Sequence, residues 1–351
     1  MRSKMRDSRA WAAYAVIAMY GIVAVTSARA QATFSWATIG NPGNAADTAT
    51  GYGSIDYTYQ ISKYDVTNSQ YVQFLNAVDP TGANSLGLYT TGETSNAVEG
   101  VAFNSAAADD SKYSVETGKG NQPVVFVSWD DAARFVNWLS NGQGSGGTES
   151  GVYDMTQTTP TRATNSTYFI PTENEWYKAA YYDPTLNGGT GGYWTYATRS
   201  NTLPGADAPP GGSNSANYYG ASGYAVTQST TTDPNQDYLT DAGAYSSSTS
   251  YYGTFDETGD VFQWNETVLD GSRRGIRGGS WNDEYWLDLS SAETDASEYL
   301  IPDGSDGYTG FRVAMVPEPV SGVMLLTMGV MALMHRRPRE MIVRGIPANT
   351  V

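Results

Sequence analysis

The chain has 351 residues, with 20 basic against 36 acidic ones, a formal net charge of −16, no cysteine and a single histidine. These counts argue against thiol catalysis and a disulfide framework, and the acidic balance argues against binding to nucleic acid. The one histidine, His335, lies near the C-terminus, so histidine-based metal catalysis is not expected in the main part of the chain.

The first 30 residues are typical of a secretory signal peptide. Basic residues open the segment, an apolar stretch follows over Ala10–Val25, and the small-residue motif Ala28-Arg29-Ala30 ends it. We predict cleavage after Ala30 by signal peptidase, which would place the remaining chain outside the cytoplasm. An uncleaved anchor helix is the alternative.

The first helix of the mature chain is predicted over Ser69–Val78. Its apolar residues recur at helical spacing, and Asn68 is the expected N-cap. Further along, Val124–Val127 is predicted as a short apolar strand. We expect the apolar helix face to pack in the core.

Two further helices are predicted from their capping residues. Ser128 and Asp131 form a capping pair before one helix, and Thr172 and Glu175 form a capping box before the next. Each pair precedes a stripe of aromatic and small apolar residues, which predicts that both helices contribute to the core.

The second half of the chain has long loops rich in Ser, Thr, Asn and Gly, and no internal repeat. Short strand-like pieces lie next to glycines over residues 259–264, 277–281 and 310–313. Short structured segments separated by long loops favour a single irregular α+β domain over residues 31–316.

The C-terminus carries a second predicted signal. Pro317-Glu318-Pro319 precedes the apolar run Val320–Met334 and the cluster His335-Arg336-Arg337. A helix of about 15 residues spans about 22 Å, short of a hydrocarbon core of about 30 Å, so we predict a short transmembrane helix with its arginines on the cytoplasmic side. The order resembles the PEP-CTERM sorting signal over residues 317–337, with a tail over 338–351, and implies an exosortase-type processing enzyme. An ordinary C-terminal anchor is the alternative.

The mature region is more acidic than the precursor. Without residues 1–30 and the tail from Pro317, 11 basic and 33 acidic residues remain, a net charge of −22. Such a charge repels nucleic acid and anionic membranes and attracts cations, calcium above all.

Six segments in chain order resemble the formylglycine-generating enzyme domain, also called the sulfatase-modifying factor domain. They are Tyr64–Asn68, Pro123–Trp129, Ile170–Trp176, Gly259–Trp264, Arg277–Trp281 and Gly310–Arg312. The resemblance covers roughly residues 35–315 and implies an irregular, loop-rich variant of the C-type lectin fold. It also suggests that Arg277 and Arg312 pair with buried carboxylates to hold the late loops together.

The resemblance does not extend to the family's metal chemistry. The two cysteines that hold copper in the formylglycine-generating enzyme fall here on Asp283 and Asp288. Carboxylates are hard donors that cannot replace the thiolates of a Cu(I) site. A related branch uses histidine-bound iron, but His335 lies in the tail. We therefore expect no copper, no iron and no family catalytic residue.

Calcium is the cofactor that the resemblance leaves open. One implied site uses side chains at its ends and backbone carbonyls between them: Asp256, Gly259, Val261 and Gln263. A second implied site would use Asn217, Tyr218 and Asp233. Oxygen ligands of this kind suit calcium, and a solvated acidic loop is the alternative.

Three functions remain open. The first is a non-catalytic scaffold, secreted or held transiently or permanently at the cell surface by the C-terminal helix, that binds an extracellular polysaccharide or surface protein. Its predicted ligand-binding residues combine aromatic rings with carboxylates: Trp281, Asp283, Tyr285, Trp286, Asp288 and Tyr308. The second is a divergent metal-dependent oxidoreductase with carboxylate ligands. The third is a purely structural component of an extracellular matrix.

Overall fold

The computed structural model describes residues 31–90, 97–271, 273–284, 288–293 and 306–317. The predicted signal peptide, the sorting signal from Glu318 onward and the tail lie outside these residues, as do Tyr285 and Trp286. Within the described ranges, no helix is both long and apolar enough to cross a membrane.

Three helices begin at capping boxes, and a single helical turn follows them. The helices are α1 (Asn68–Val78), α2 (Trp129–Ser140), α3 (Glu173–Tyr181) and the turn α4 (Leu186–Gly189). The predicted boxes Ser128–Asp131 and Thr172–Glu175 are confirmed, because in each the hydroxyl accepts the backbone N–H three residues on and the carboxylate accepts the cap's own N–H.

The predicted cap of α1 is wrong by one residue. Thr67, not Asn68, is the N-cap: its hydroxyl accepts the Gln70 N–H, and the Gln70 side chain accepts the Thr67 N–H at 2.9 Å. The Asn68 side chain instead donates to the carbonyl of Lys119 at 2.9 Å.

The strands are short and build one four-stranded sheet, one three-stranded sheet and three two-stranded ribbons. In chain order they are β1 (Trp36–Ile39), β2 (Tyr59–Ser62), β3 (Val101–Phe103), β4 (Tyr113–Val115), β5 (Tyr168–Phe169), β6 (Tyr182–Asp183), β7 (Gly192–Tyr193), β8 (Tyr219–Gly220), β9 (Gly223–Tyr224), β10 (Phe262–Asp270), β11 (Arg273–Arg277), β12 (Thr309–Phe311) and β13 (Ala314–Met315). The four-stranded sheet is antiparallel in the order β1-β2-β13-β5, and the three-stranded sheet has the order β11-β10-β12 with β10 and β12 parallel. The ribbons are β3-β4, β6-β7 and β8-β9.

The predicted strand over Val124–Val127 is not formed. Phe126 has a positive φ of 60°, a conformation that interrupts a strand. Its N–H donates to the carbonyl of Asp306 at 2.7 Å, while the N–H of Val124 donates to Val66 at 2.9 Å. The segment therefore joins the start of α1 to the loop before β12 instead of extending a sheet.

The core lies where the helices meet the three-stranded sheet. Phe135 of α2 contacts Phe74 of α1 and Phe311 of β12, with ring centroids 5.4 and 5.3 Å apart. The indole of Trp129 donates to the carbonyl of Asn265 at 3.1 Å and that of Trp264 to Val127 at 3.0 Å, so the start of α2 is fixed to the first part of β10. The predicted α+β class, with few helices and small sheets, is confirmed.

Candidate functional site

An aromatic cluster forms beside the glycine turn that follows β11. Trp281 stacks on Tyr238 with centroids 5.0 Å apart and planes 7° apart, and Tyr224 lies 4.5 Å from Tyr238. The ring of Tyr308 packs against that of Trp281, with centroids 5.4 Å apart. Trp281 is only 8% exposed, whereas Tyr308 is 38% exposed. Trp281 is therefore mainly a packing residue, and Tyr308 presents the ring that a ligand can reach.

Main-chain hydrogen bonds hold this turn rigidly. Gly278 and Gly279 have φ values of 102° and 73°, which only glycine adopts readily. The N–H of Trp281 donates to the carbonyl of Asp260 at 2.9 Å, and its indole donates to Gly307 at 3.2 Å. The position of Trp281 thus depends on both the loop before β10 and the loop before β12.

Asp283 and Asp288, the two acids predicted to fall at the family's cysteine positions, both have raised pKa values. Burial raises the pKa of Asp283 to about 6, although its carboxylate accepts the Ser280 N–H at 2.6 Å. Burial, the charge of Asp283 and a nearby Glu293 together raise the pKa of Asp288 to about 7. Like charges in a partly buried site disfavour full ionisation, so this pair holds protons at higher pH than ordinary carboxylates.

Arg277 ties the segment that carries Asp288 to α3, as predicted. Its guanidinium lies 2.6 Å from Glu173, and both side chains are almost fully buried. The same guanidinium donates to the carbonyl of Ser291 at 3.2 Å. The segment that carries Asp288 and Ser291 is therefore held to α3 through one buried ion pair.

The implied calcium set at Asp256, Gly259, Val261 and Gln263 does not fit a calcium ion. The amide oxygen of Gln263 already accepts two hydrogen bonds, from the Trp176 indole at 2.7 Å and the Arg312 Nε at 2.6 Å. A guanidinium at that distance would repel a cation coordinated by the same oxygen. The other end of the Gln263 amide donates to the carbonyl of Asp256 at 2.8 Å. Calcium binding itself stays a prediction.

The second implied set, Asn217, Tyr218 and Asp233, is not assembled around one point. The Asn217 amide donates to Asp260 at 2.7 Å, and the Tyr218 hydroxyl donates to the carbonyl of Pro204 at 2.7 Å. Asp233 is exposed and accepts the N–H of Asn235 within its own turn at 2.9 Å. In the part of the chain that the structure describes, no three Asp, Glu, His or Cys side chains converge as ligands of one metal ion.

Four buried carboxylates form a cluster, one of which pairs with Arg312, and the sequence did not predict this cluster beyond that pairing. We call Asp65, Asp256, Glu257 and Asp260 the acidic core cluster; Arg312 pairs with Asp65 at 3.2 Å, which confirms the predicted buried pairing. Burial raises the pKa of Asp65 to about 8, that of Asp256 to about 6 and that of Glu257 to about 7, and raises that of Asp260 as well.

Sequence reasoning missed five members of these clusters: Tyr224, Tyr238, Asp65, Glu257 and Asp260. Tyr224 and Tyr238 come from tyrosine-containing loops that look no different from the many others in the chain. Glu257 follows the predicted ligand Asp256 directly, and that adjacency is the one signal that could have identified it.

Comparisons with known proteins agree with the segments above. A family model described as the sulfatase-modifying factor enzyme 1-like domain matches residues 41–316. The crystal structure of CarF is 19% identical, with a TM-score of 0.47, 82% of this chain covered and 99% of that chain. Treponema denticola variable protein 1 is 17% identical (TM-score 0.44; 81% and 95% covered), and PvdO from Pseudomonas aeruginosa is 15% identical (TM-score 0.41; 81% and 92% covered). No curated protein sequence matches the chain.

Proposed function

The chain belongs to the sulfatase-modifying factor enzyme 1-like domain family, and we propose that it is a non-catalytic, exported member that binds an extracellular polysaccharide. The absence of cysteine removes the thiolate ligands of the family's copper chemistry. The resemblance implies Asp283 and Asp288 at those positions, in the segment that follows Trp281 of the aromatic cluster. Hard carboxylate oxygens beside aromatic rings suit a hydroxyl-rich ligand better than they suit a Cu(I) ion.

The exposed ring of Tyr308 is the observation that carries this proposal. It lies against Trp281, which stacks on Tyr238, so a reachable ring is supported from beneath by buried ones. Aromatic faces stack on sugar rings, and carboxylates such as that of Asp283 accept hydrogen bonds from hydroxyl groups. Because the supporting rings are already packed, a ligand would need little reorganisation of the site.

A pair of tyrosine variants tests the binding surface. Tyr308→Ala should weaken binding to the oligosaccharide that the wild type binds best, chosen from a panel of neutral, amino and uronic-acid sugars, about fivefold, since stacking contributes roughly 1 kcal/mol. Tyr251→Ala is the matched control, because Tyr251 is 39% exposed and also leans on one ring, that of Tyr252. Equal loss in both variants, or none in either, would contradict the assigned surface; no binding to any saccharide favours the matrix-component alternative.

The competing function is a metal-dependent oxidoreductase that uses carboxylates. The charge of Asp283 raises the pKa of Asp288, which favours this function because paired acids serve in proton transfer. Elemental analysis of the metal-stripped and remetallated full chain separates the two. Stoichiometric copper, iron or manganese would support the enzyme, whereas their absence together with saccharide binding would support the scaffold.

Export is part of the proposal and rests on the two terminal signals. The protein would be cleaved after Ala30 by signal peptidase and processed near Pro317-Glu318-Pro319 by an exosortase-type enzyme, reaching the cell surface or the medium. Mass spectrometry of the protein recovered from the producing cells tests this. A mature N-terminus at Gln31 is expected, and an intact Met1 would contradict it.

A further inference from the structure

A groove opens where the described part of the chain ends at Pro317. It has a volume of about 740 Å³, and its lining includes Tyr57, residues 163–167, Val316 and Pro317. Tyr57 and Val316 are 42% and 40% exposed, so the groove carries apolar surface that the described residues leave open to solvent. Its volume lies within the range of pockets that bind ligands.

The groove continues the path of a central strand. β13 is hydrogen-bonded to β2 on one side and to β5 on the other. The pairing on the β5 side goes one residue beyond the strand, because the N–H of Val316 donates to the carbonyl of Thr167 at 3.1 Å. Continued in the register of both pairings, Glu318 would lie between Tyr57 and Asn165, which line the groove.

The charged and phenolic groups of the groove are already paired. Arg162 lies 2.8 Å from Glu175 and 2.7 Å from Glu266, so two carboxylates surround one cation. The hydroxyl of Tyr57 donates to Glu175 at 2.5 Å, and the guanidinium covers the ring of Phe169 at 3.6 Å. This arrangement disfavours an anionic ligand and leaves the ring of Tyr57 as the accessible feature. Such a surface suits a peptide segment with few hydrogen-bond donors.

The sequence after Pro317 has this character, since Glu318-Pro319-Val320 follows directly. In a central antiparallel strand the N–H groups of successive residues point to opposite neighbours. Because the N–H of residue 316 faces β5, that of Glu318 would face β5 as well, and residues 317 and 319 would face β2. Both of those residues are prolines and have no N–H to donate towards β2. The segment can therefore extend the pairing on the β5 side only, as far as Asn165, whose φ of 63° ends the extended partner.

We propose that this groove holds the segment Glu318–Val320 of the same chain, with Glu318 beside Asn165 and a proline ring against that of Tyr57. The domain would thereby cover the peptide bonds of Pro317-Glu318-Pro319. An enzyme that cuts there would have to displace the segment from the groove first, a consequence that rests on the proposed export. The docking itself does not depend on the proposed polysaccharide binding.

Engineered disulfides in the unprocessed full chain, purified in mild detergent, test the docking. The chain has no cysteine, so an introduced pair reports one contact. Asn165→Cys with Glu318→Cys should form a disulfide under mild oxidation, because directly opposed residues have Cα atoms about 5.5 Å apart, a distance that a disulfide spans.

Thr38→Cys with Glu318→Cys is the matched control. Thr38 is exposed and lies two strands, about 10 Å, from Met315, which is the reach of three extended residues. A segment that does not dock would therefore reach Thr38 as readily as Asn165. The groove pair should close at least about tenfold faster than the control pair, measured by mass spectrometry of alkylated samples.

A second pair covers the case in which Asn165→Cys does not fold. Thr164→Cys with Glu318→Cys should also close faster than the control pair, and adding Ala163→Trp, which fills the groove, should slow either groove pair. Equal rates in the groove and control pairs of folded variants, or no effect of Ala163→Trp, would overturn the proposal. Since no saccharide is present, failure here would be distinct from failure of the test on Tyr308.

Discussion

Replacing Arg277 by methionine should cost the protein much of its stability. The guanidinium lies 2.6 Å from Glu173, the side chains are 2% and 5% exposed, and the carboxylate's remaining partner is the Asn265 amide at 2.6 Å. Methionine fills similar volume but leaves a buried carboxylate without its cation. Removing one partner of such a pair costs about 3–5 kcal/mol.

Thermal unfolding followed by near-ultraviolet circular dichroism measures this loss. For a domain of this size, 1 kcal/mol corresponds to about 2 °C, so Arg277→Met should lower the midpoint by about 6–10 °C. The double variant Glu173→Gln, Arg277→Met should lose less than the sum of the single variants, with a coupling of about 2 kcal/mol.

The partly exposed pair of Arg134 and Glu149 provides the control. Its atoms are 2.7 Å apart, but Glu149 is 44% exposed, so Arg134→Met should cost less than about 1 kcal/mol. If Arg277→Met costs no more than Arg134→Met, or if the coupling is near zero, then burial is not what makes the Arg277 pair strong.

Three further predictions concern the framework. Gly310→Ala should destabilise by about 1–3 kcal/mol in urea unfolding, because its Cβ would lie 2.7 Å from the main-chain oxygen of Val124; an unchanged midpoint would show that the strand can shift. Thr67→Ala should cost about 1 kcal/mol through loss of its capping box with Gln70, and a neutral effect would contradict that cap. Burial raises the pKa of Asp131 to about 6 from 3.8, so its contribution to stability is full below about pH 4 and is lost as the pH rises through 6. The free energy of unfolding of Asp131→Asn should therefore rise relative to that of the wild type by up to about 3 kcal/mol between pH 4 and 7. A difference between the two proteins that does not change with pH would refute this.

Local signals predicted the helices well because capping is a local interaction. Ser128 with Asp131 and Thr172 with Glu175 are three residues apart, so the sequence contains the whole hydrogen-bonded unit. Thr67 and Asn68 are both good cap residues, so the local sequence does not decide which of them caps α1. The choice between them depends on Lys119, 51 residues away, whose carbonyl binds the Asn68 amide.

The site was less predictable because its contacts are distant in the chain. The segment order led to the family and to the turn that carries Trp281, and it suggested the buried pairing of Arg277. No local pattern shows, however, that Trp176 and Arg312 both donate to Gln263 from 87 and 49 residues away. The same holds for the stacking of Tyr238 on Trp281, which decides that this tryptophan is buried.

The position of β13 has a consequence for how the protein reaches its native state. This last described strand lies inside the four-stranded sheet, hydrogen-bonded to β2 on one side and to β5 on the other. The sheet can close only after residues 314–315 have emerged, because until then both neighbours present unpaired edges. A chain synthesised from its N-terminus would thus complete this sheet only when residues 314–315 arrive, and a product truncated before Ala314 would carry two open strand edges that invite aggregation.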